Sequence, residues 1–297
     1  LTSQAGILGF SSGPPVVQFL AVATPLDFVS TNTVTLTGGS FEVDWGDGVF
    51  TPYAAGAASS VASNADTGII TVRSTNAISQ VVFNTNTYTA IDIQNSSTLT
   101  DATSMCEGNW QMLTYAMAGT NNITTFEKAW RNCVWLTSVP LIYTSAATNF
   151  LDAWQCCSDI TTFAAIDTSL ATSLSGTWSG CSGITTFPLI DTAACTNFNG
   201  AWSGCSGLTS FPSIDTSLGT AFSTTWQDCS GLLSFPLLVT SAGLDFNSGW
   251  VNCSGLTTFP LIDTSLSTTF NLTWKNCSGL TSFPAIDTSS GISFVST

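Results

Sequence analysis

Residues 202–225 read WSGCSGLTSFPSIDTSLGTAFSTT, and residues 226–249 read WQDCSGLLSFPLLVTSAGLDFNSG. Both stretches keep Trp, Cys, Gly, Leu, Phe, Pro and Thr at the same offsets, so they are copies of one 24-residue unit. Tryptophan recurs at this interval without an insertion: Trp130, Trp154, Trp178, Trp202, Trp226, Trp250 and Trp274. A cysteine follows each of them by three residues: Cys133, Cys157, Cys181, Cys205, Cys229, Cys253 and Cys277. Because one unit is too short to enclose a core, the period predicts stacked units that bury continuous columns of side chains.

The spacing of apolar residues inside a unit predicts a short helical arm followed by a short strand. Phe270, Trp274 and Cys277 lie four and then three residues apart, which places them on one face of a helix. The Ser-Gly pair after most of these cysteines is a typical helix stop. Leu280–Ile286 then alternates as an extended chain does. We therefore predict an α+β solenoid whose prolines limit each strand to about two to four residues.

The repeated frame also carries a family resemblance. C-S-G-L-T-S-F-P-L-I-D-T-S, followed by F-x-x-x-W-x-x-C, resembles the leucine-rich repeats of BspA-like bacterial surface proteins over roughly residues 105–297. The resemblance implies a leucine-rich-repeat array engaged in adhesion or display, and it implies no catalytic site. Such repeats also occur in phage structural proteins. Residues 105–126 resemble a degenerate first unit that caps the array, with Trp110 in the cysteine column and Leu113 three residues later.

The first hundred residues form a different module. They lack the repeat and are rich in Val, Thr, Ile and Phe, which favours β structure. Phe41–Trp45 alternates between apolar and polar residues, and Gly46-Asp47-Gly48 then makes a tight turn. The string V-D-W-G-D-G resembles the WGDG turn of PKD-like modules, which implies a small β-sandwich domain. We divide the chain into an extended N-terminal arm (1–28), this β-sandwich domain (29–100) and the solenoid (101–297), a degenerate cap plus seven repeats.

The charge composition excludes several classes of function. Among 297 residues there are 18 Asp or Glu, 4 Lys or Arg and no His, which gives a formal net charge of −14. Without His there is no Ser-His-Asp triad and no imidazole metal site, and four cations cannot form a nucleic-acid surface. A surface of hydroxyls and amides favours an extracellular or virion-exposed location. Leu1–Phe10 has no basic segment, so we expect no signal peptide there, and whether Leu1 is a processed start stays open.

The cysteine and aspartate columns each allow a structural and a functional interpretation. One cysteine per unit lacks the paired spacing of a zinc site, so we interpret the column as buried small side chains. Cys106, Cys156 and Cys195 lie outside it, and a disulfide among them is the alternative. The aspartate column is interrupted by Tyr143 and Val239 and otherwise contains Asp167, Asp191, Asp215, Asp263 and Asp287. It suits calcium binding or glycoside hydrolysis, but Asp-Thr-Ser is also a capping motif, which we favour.

Threonine forms two further columns. One is complete: Thr144, Thr168, Thr192, Thr216, Thr240, Thr264 and Thr288. The other begins at Thr137, and its members Thr161, Thr185, Thr209, Thr257 and Thr281 are the candidate binding strip. Stacked threonines can hydrogen-bond along a solenoid, whereas an exposed hydroxyl surface binds sugars or ice. Thr209 and Ser210 are adjacent, so we expect only one of the two to point outward, which disfavours ice binding.

Together these features predict a non-enzymatic extracellular protein with a structural or adhesive role on a bacterial or phage virion surface. We expect a cell-surface glycan or protein receptor as its partner, and self-association through the N-terminal arm or the open C-terminal repeat edge. We expect no nucleic-acid partner, transmembrane segment, catalytic residue, cofactor or metal. Two alternatives stay open. One is a tailspike-like polysaccharide depolymerase on a parallel β-helix, which 24 residues per turn also suits, and the other is an ice-binding solenoid.

Overall fold

The computed structural model describes residues 17–23, 33–45, 49–59, 69–74, 76–83, 88–94, 98–117 and 122–295. We call residues 17–94 the β module and residues 98–295 the repeat array. The strands of the β module are β1 (Val17–Ala23), β2 (Thr33–Thr37), β3 (Phe41–Asp44), β4 (Phe50–Tyr53), β5 (Gly56–Ser59), β6 (Ile69–Ser74), β7 (Gln80–Phe83) and β8 (Tyr88–Gln94). Those of the repeat array are β9 (Thr114–Met117), β10 (Ser138–Val139) and β11 (Thr162–Phe163).

The β module contains a three-stranded sheet and five strands of a six-stranded sheet, whose sixth strand, β9, belongs to the repeat array. Their strand orders are β4-β3-β6-β1-β8-β9 and β5-β2-β7. Alternate residues of β3 and β7 are buried, as the pleat of a strand with one covered face requires. The buried side chains of both sheets, such as Val34, Val43, Val72 and Phe83, belong to one apolar cluster.

Part of the predicted N-terminal arm is a strand. Val17–Ala23 pairs antiparallel with β6 on one side and with β8 on the other, so this segment lies inside the six-stranded sheet. The remainder of the predicted arm lies outside the described residues. The same holds for Gly46-Asp47-Gly48, on which the predicted WGDG turn depends.

The prediction of helical arms is wrong. The described residues contain no helix, so the chain is not an α+β leucine-rich-repeat solenoid. Backbone N–H groups in the predicted arm alternate between two acceptors. Trp202 donates to the carbonyl of Thr225 in the next unit, whereas Cys205 donates to the carbonyl of Trp202 three residues before it. Because alternate N–H groups are bonded to a neighbouring unit, the hydrogen bonds of an α-helix cannot form.

Two backbone positions in each unit have positive φ, which an α-helix excludes. The first column is Ser104, Lys128, Asp152, Gly176, Gly200, Thr224, Ser248 and Leu272. The second is Gly108, Asn132, Cys156, Gly180, Gly204, Asp228, Asn252 and Asn276. Gly, Asn and Asp tolerate this conformation best and dominate the second column. The helical spacing of Phe270, Trp274 and Cys277 therefore reflects a chain of consecutive turns.

The glycine after the cysteine column is required for a close approach between units. A Cβ on Gly207 would lie 2.4 Å from the carbonyl oxygen of Ser182, one unit earlier. Gly183, Gly231, Gly255 and Gly279 meet the same obstacle at 2.4–2.6 Å. None of these glycines has a positive φ. They recur at this position because a side chain would push two backbones apart, and not because they stop a helix.

The units stack through parallel bridges that begin in the β module. One series joins Gln80 of β7 to Asp101, and it then continues at 24-residue steps through Thr125 as far as Ser293. A second series begins where β8 pairs in parallel with β9, and β10 pairs in parallel with β11 further along. The β module and the repeat array therefore share a sheet and one apolar cluster across the predicted boundary at residue 100.

The first unit follows the 24-residue register without a shift. Cys106 takes the tryptophan position, Asn109 the cysteine position and Met112 the leucine position, and all three are fully buried. The assignment of Trp110 to the cysteine column is wrong, since Trp110 and Leu113 are exposed. Nδ2 of Asn109 donates to the carbonyl oxygens of Phe83 and Cys106, which ties this unit to β7.

Aromatic rings fill the centre of the repeat array. The seven tryptophans from Trp130 to Trp274 stack with ring centroids 5.0–6.3 Å apart and planes within 2–12°. Phenylalanines such as Phe211 meet them edge to face at 4.8–5.6 Å. Both arrangements are favourable for aromatic pairs. The indole N–H groups of this column have no hydrogen-bond partner among the described residues, so packing and ring contacts alone hold the rings.

Candidate functional site

The candidate binding strip lies on the surface of the repeat array. Thr161, Thr185, Thr209, Thr257 and Thr281 are all exposed, and we call these five residues the hydroxyl strip. Four of them donate Oγ1–H to the carbonyl of the residue 24 positions earlier; Thr209, for example, bonds the Thr185 oxygen at 3.2 Å. Because the hydroxyl hydrogens of these four residues point into the backbone, they present oxygen lone pairs and methyl groups to solvent.

A second column of hydroxyls runs beside the hydroxyl strip. It is exposed from its second member onward and consists of Ser138, Thr162, Thr186, Ser210, Ser234, Thr258 and Ser282. These side chains make no hydrogen bond to any described residue, and we call the column the free-hydroxyl column. Thr209 and Ser210 are therefore both exposed, and the expectation that only one of them points outward is wrong. The two columns together form a surface with acceptors on one side and unengaged hydroxyls on the other.

The complete threonine column is structural. Its members are buried from Thr144 to Thr264, and Thr288 alone is exposed. Thr192 Oγ1 donates to the Asp215 carbonyl at 2.6 Å, and Thr240 Oγ1 to the Asp263 carbonyl at 2.6 Å, in each case in the following unit. A third exposed series was missed, although its 24-residue spacing is visible in the sequence: Thr100, Thr124, Thr148, Thr172 and Thr196.

The aspartate column caps turns, as the Asp-Thr-Ser motif predicts. Oδ1 of Asp263 accepts the backbone N–H of Ser265 at 3.0 Å and its hydroxyl at 2.7 Å, and Oδ1 of Asp215 accepts the Ser217 N–H at 2.9 Å. The backbone N–H and then the hydroxyl of Ser265 lower the pKa of Asp263. No group of His, Cys, Asp and Glu suited to a metal ion occurs in the described part of the chain.

The cysteine column is a series of internal hydrogen bonds. Each thiol donates to the carbonyl of the residue 27 positions earlier, at 3.0–3.3 Å, as Cys205 does to Trp178. Burial raises the pKa of Cys205 to about 12. All ten cysteines are free thiols, which excludes the disulfide alternative in this structure, and Cys156 is the exposed member of the set.

Charged side chains concentrate on the turns of the first three units. Arg131 binds the carboxylate of Glu107, and Nζ of Lys128 lies 3.1 Å from Oε1 of Glu127. Burial raises the pKa of Glu107. Hydrogen bonds from Ser104 and Arg131, and the positive charges of Arg131 and Lys128, outweigh it, so the pKa is lowered. Burial raises the pKa of Asp152. Because Glu107 is held in an ion pair, this cluster joins neighbouring units and does not present two free acids.

The β module contains a cleft of about 400 Å³ where β3 begins and β4 and β6 end. We call it the β-module cleft. It is lined by Ser40, Phe41, Glu42, Pro52, Tyr53, Arg73, Ser74 and Asn76. Glu42 and Arg73 are register partners on β3 and β6, with Arg73 Nε 2.7 Å from Glu42 Oε2. The sequence offered no signal for this site, because its residues come from three strands and the pairing of those strands brings them together.

Comparison with known proteins adds no relative. No protein-family model, curated protein or solved structure matches the chain. Among the described residues, no helix is long and apolar enough to cross a membrane. The resemblances to BspA-like and PKD-like modules gain nothing from these comparisons, so a functional proposal rests on the geometry of the surfaces described above.

Proposed function

We propose that this chain is a non-enzymatic extracellular protein, structural or adhesive, whose repeat array binds cell-surface glycans. Display on a bacterial or virion surface is part of the proposal. The observation that carries it is the pairing of the hydroxyl strip with the free-hydroxyl column along one exposed surface of the array. Each unit repeats the same groups, so a ligand that is itself a repeating chain could engage several units at once.

The chemistry of the two columns suits neutral sugars. A sugar hydroxyl can donate to a threonine lone pair of the hydroxyl strip and accept from a hydroxyl of the free-hydroxyl column, while its C–H groups contact the threonine methyls. A single exposed contact of this kind contributes little. Adjacent units, stacked at about 4.8 Å, can act together once the first contact is made, which raises the overall affinity.

Net charge favours a neutral or cationic glycan over an acidic one. The formal charge of −14 creates a potential that repels polyanions and attracts cations. The proposal includes no catalytic activity. The engagement of acids such as Asp215 and Asp263 in turns supports this part of it. Cleavage of a bound polysaccharide by the purified protein would contradict this part of the proposal.

The experiment that tests the proposal compares two triple variants on immobilised neutral polysaccharides. Thr185, Thr209 and Thr257 are changed together to Val, which removes the hydroxyls and keeps the volume. In the matched control the same three residues are changed to Ser, which keeps the hydroxyls. We expect the Val variant to bind about tenfold more weakly, which corresponds to about 1.4 kcal/mol, and the Ser variant to bind within about threefold of the parent. Equal binding by all three proteins, or no binding by any, contradicts the proposal.

Ice binding is the second candidate, because the two exposed hydroxyl columns form a regular uncharged surface. The argument against it, that only one residue of each pair points outward, does not hold at Thr209 and Ser210. The test is a direct measurement of thermal hysteresis and of ice recrystallisation with the purified protein. A freezing-point depression that is lost in the Val variant, without glycan binding by the parent, would replace glycans with ice as the ligand.

A further inference from the structure

Two columns of leucine lie exposed on the repeat array, outside the surfaces described above. The first lies eleven residues after the tryptophan of its unit and is 61–75% exposed: Leu141, Leu189, Leu237 and Leu261. The second lies sixteen residues after the tryptophan and is 51–54% exposed: Leu170, Leu218 and Leu266. We call the two columns together the leucine face. Single exposed leucines are ordinary, but seven in two columns mark an interaction surface.

Both columns alternate between leucine and small residues, and they do so out of phase. In the first column, the residues between successive leucines of alternate units are Ala165 and Ser213. In the second column, the small residues occur where the first has leucine: Ala146, Ala194 and Ala242. The unit with Leu261 and Leu266 shows that the array accepts leucine at both positions. The alternation is therefore not a requirement of the array's own fold.

The aspartate column runs between the two leucine columns. Leu261 and Asp263 are exposed, while the residue after each of them is buried, so both point outward from one face of an extended segment. Ser265 and Leu266 then form a turn. Asp263 Oδ1 accepts the Ser265 N–H at 3.0 Å and its hydroxyl at 2.7 Å, which ties this turn to the aspartate.

We infer that a second copy of this chain packs on the leucine face, with the two arrays antiparallel and related by a two-fold axis. An axis between the units that begin at Trp178 and Trp202 sets Leu189 opposite Ser213 of the second copy, and Ser213 opposite its Leu189. The same operation pairs Ala165 with Leu237, Ala146 with Leu266, Leu170 with Ala242 and Ala194 with Leu218, and it leaves Leu141 opposite Leu261. Large residues opposite small ones allow two surfaces to interdigitate.

Charge also favours the antiparallel arrangement. Tyr143 and Val239 interrupt the aspartate column, and in this register each of them lies opposite an aspartate of the second copy. The like-charged pairing that is left is Asp191 with Asp215. A parallel arrangement would set every aspartate of the column opposite its own counterpart, and like charges that face each other across an interface are costly.

The exposed apolar area agrees with that of a dimer. Each of these leucines leaves about 100 Å² in water, so the seven present on the order of 700 Å² per copy. A standard interface buries about 800 Å² per partner, whereas the largest apolar patch of a typical monomer is about 300–600 Å².

Sedimentation velocity of the full chain over a range of concentrations tests the inference. We expect a reversible dimer, and a monomer at every concentration up to about 100 µM overturns the inference. Leu189→Ala removes apolar contact twice in a two-fold dimer, so we expect it to weaken association at least about tenfold. The matched control is Leu244→Ala, an exposed leucine in neither column, which should associate within about twofold of the parent.

A second pair of variants tests the register. Ser213→Leu adds apolar surface but sets leucine against Leu189 of the second copy, so we expect at least about tenfold weaker association. The double variant Leu189→Ala with Ser213→Leu exchanges the large and the small residue, and it should return to within about threefold of the parent. Tighter association of Ser213→Leu overturns the interdigitated packing, and no recovery in the double variant overturns the antiparallel register. Leu170→Ala replaces Leu189→Ala in the first test if the latter impairs folding.

This interface and the proposed glycan surface fail separately. The triple Val variant of the hydroxyl strip is expected to form the dimer as the parent does. Loss of the dimer in that variant would assign the interface to the hydroxyl strip and overturn the inference. Polysaccharide binding that survives Leu189→Ala would leave the proposal for the hydroxyl strip standing by itself.

Discussion

In the β module a side chain is buried when it lies on the covered face of its strand. In the repeat array a side chain is buried when the equivalent residues of the neighbouring units, 24 positions away, stack against it. β3 illustrates the first route, with Phe41 and Val43 covered and Glu42 partly exposed between them. The tryptophan column illustrates the second, since Trp154 and Trp202 are fully buried by their counterparts in neighbouring units. In a strand, the two-residue alternation of side chains decides which residues are buried. In the repeat array, spacing within one unit does not decide this, because the neighbouring units cover the side chains.

The largest expected effect comes from removing a ring in the middle of the array. Trp202→Ala deletes a fully buried side chain that stacks on Trp178 and Trp226. We expect it to lower the free energy of unfolding by about 4 kcal/mol, against about 2 kcal/mol for Val72→Ala in the β module. Urea unfolding followed by far-ultraviolet circular dichroism measures both.

The matched control for this prediction is the last tryptophan. Trp274 is only partly buried and stacks on Trp250 alone within its column, so Trp274→Ala is expected to cost about half as much as Trp202→Ala. Equal losses at the two positions would show that burial in the array does not depend on neighbours on both sides.

The next effect separates two requirements for glycine. Gly38 in the β module has φ +125°, and a Cβ there would lie 2.4 Å from the Ala77 carbonyl oxygen. In the array the two demands fall on different glycines. Gly207 faces a close carbonyl oxygen, whereas Gly200 has φ +64° and a Cβ there would make only an ordinary contact, 3.5 Å from Thr224 Oγ1. We expect alanine at Gly38, Gly207 and Gly200 to cost about 3, 2 and 1 kcal/mol respectively. Thermal unfolding of the three variants gives the order, and a larger loss at Gly200 than at Gly207 would contradict it.

Cysteine reactivity tests the burial of the array without changing its sequence. Cys156 is exposed, whereas thiols such as Cys205 are buried, donate to a carbonyl and have a raised pKa. We expect one cysteine per chain to react rapidly with iodoacetamide under native conditions, and peptide mass spectrometry to locate it at Cys156. Rapid modification of Cys205 would show that the column opens. Denatured protein, in which all ten thiols react, is the control.

The smallest expected effect concerns acid stability. The pKa of Asp263 is lowered in the folded chain, so its contribution is present above the unfolded pKa and is lost as pH falls through the folded value, below about pH 4. Asp263→Asn keeps an acceptor for the turn and removes the titration, which should flatten the fall of the unfolding midpoint between about pH 5 and pH 2.5. Ser265→Ala, which removes one of the two bonds to this carboxylate, should give part of that flattening. An unchanged pH profile in Asp263→Asn contradicts the prediction.

Much of the candidate surface could be predicted because repetition in sequence becomes alignment in space. The spacing of Thr161, Thr185 and Thr209 was sufficient to place them in one strip, and the structure confirms that they are exposed. Two features could not be predicted. One is that the threonine hydroxyls donate hydrogen bonds to backbone carbonyls, and the other is that Ser210 is exposed beside Thr209. Both depend on how far each unit is displaced from the next, which no local pattern specifies.

Residue type and spacing alone specify the 24-residue period, the identity of the buried columns and the capping role of the aspartates. The backbone path depends instead on contacts between the units. Phe270, Trp274 and Cys277 fit a helix in spacing, but the Phe270 N–H bonds the Ser293 carbonyl in the next unit. Such bonds between units, together with two left-handed residues four positions apart in each unit, replace the helix by turns. Strand pairing likewise decided the β-module cleft, since it alone places Glu42 beside Arg73.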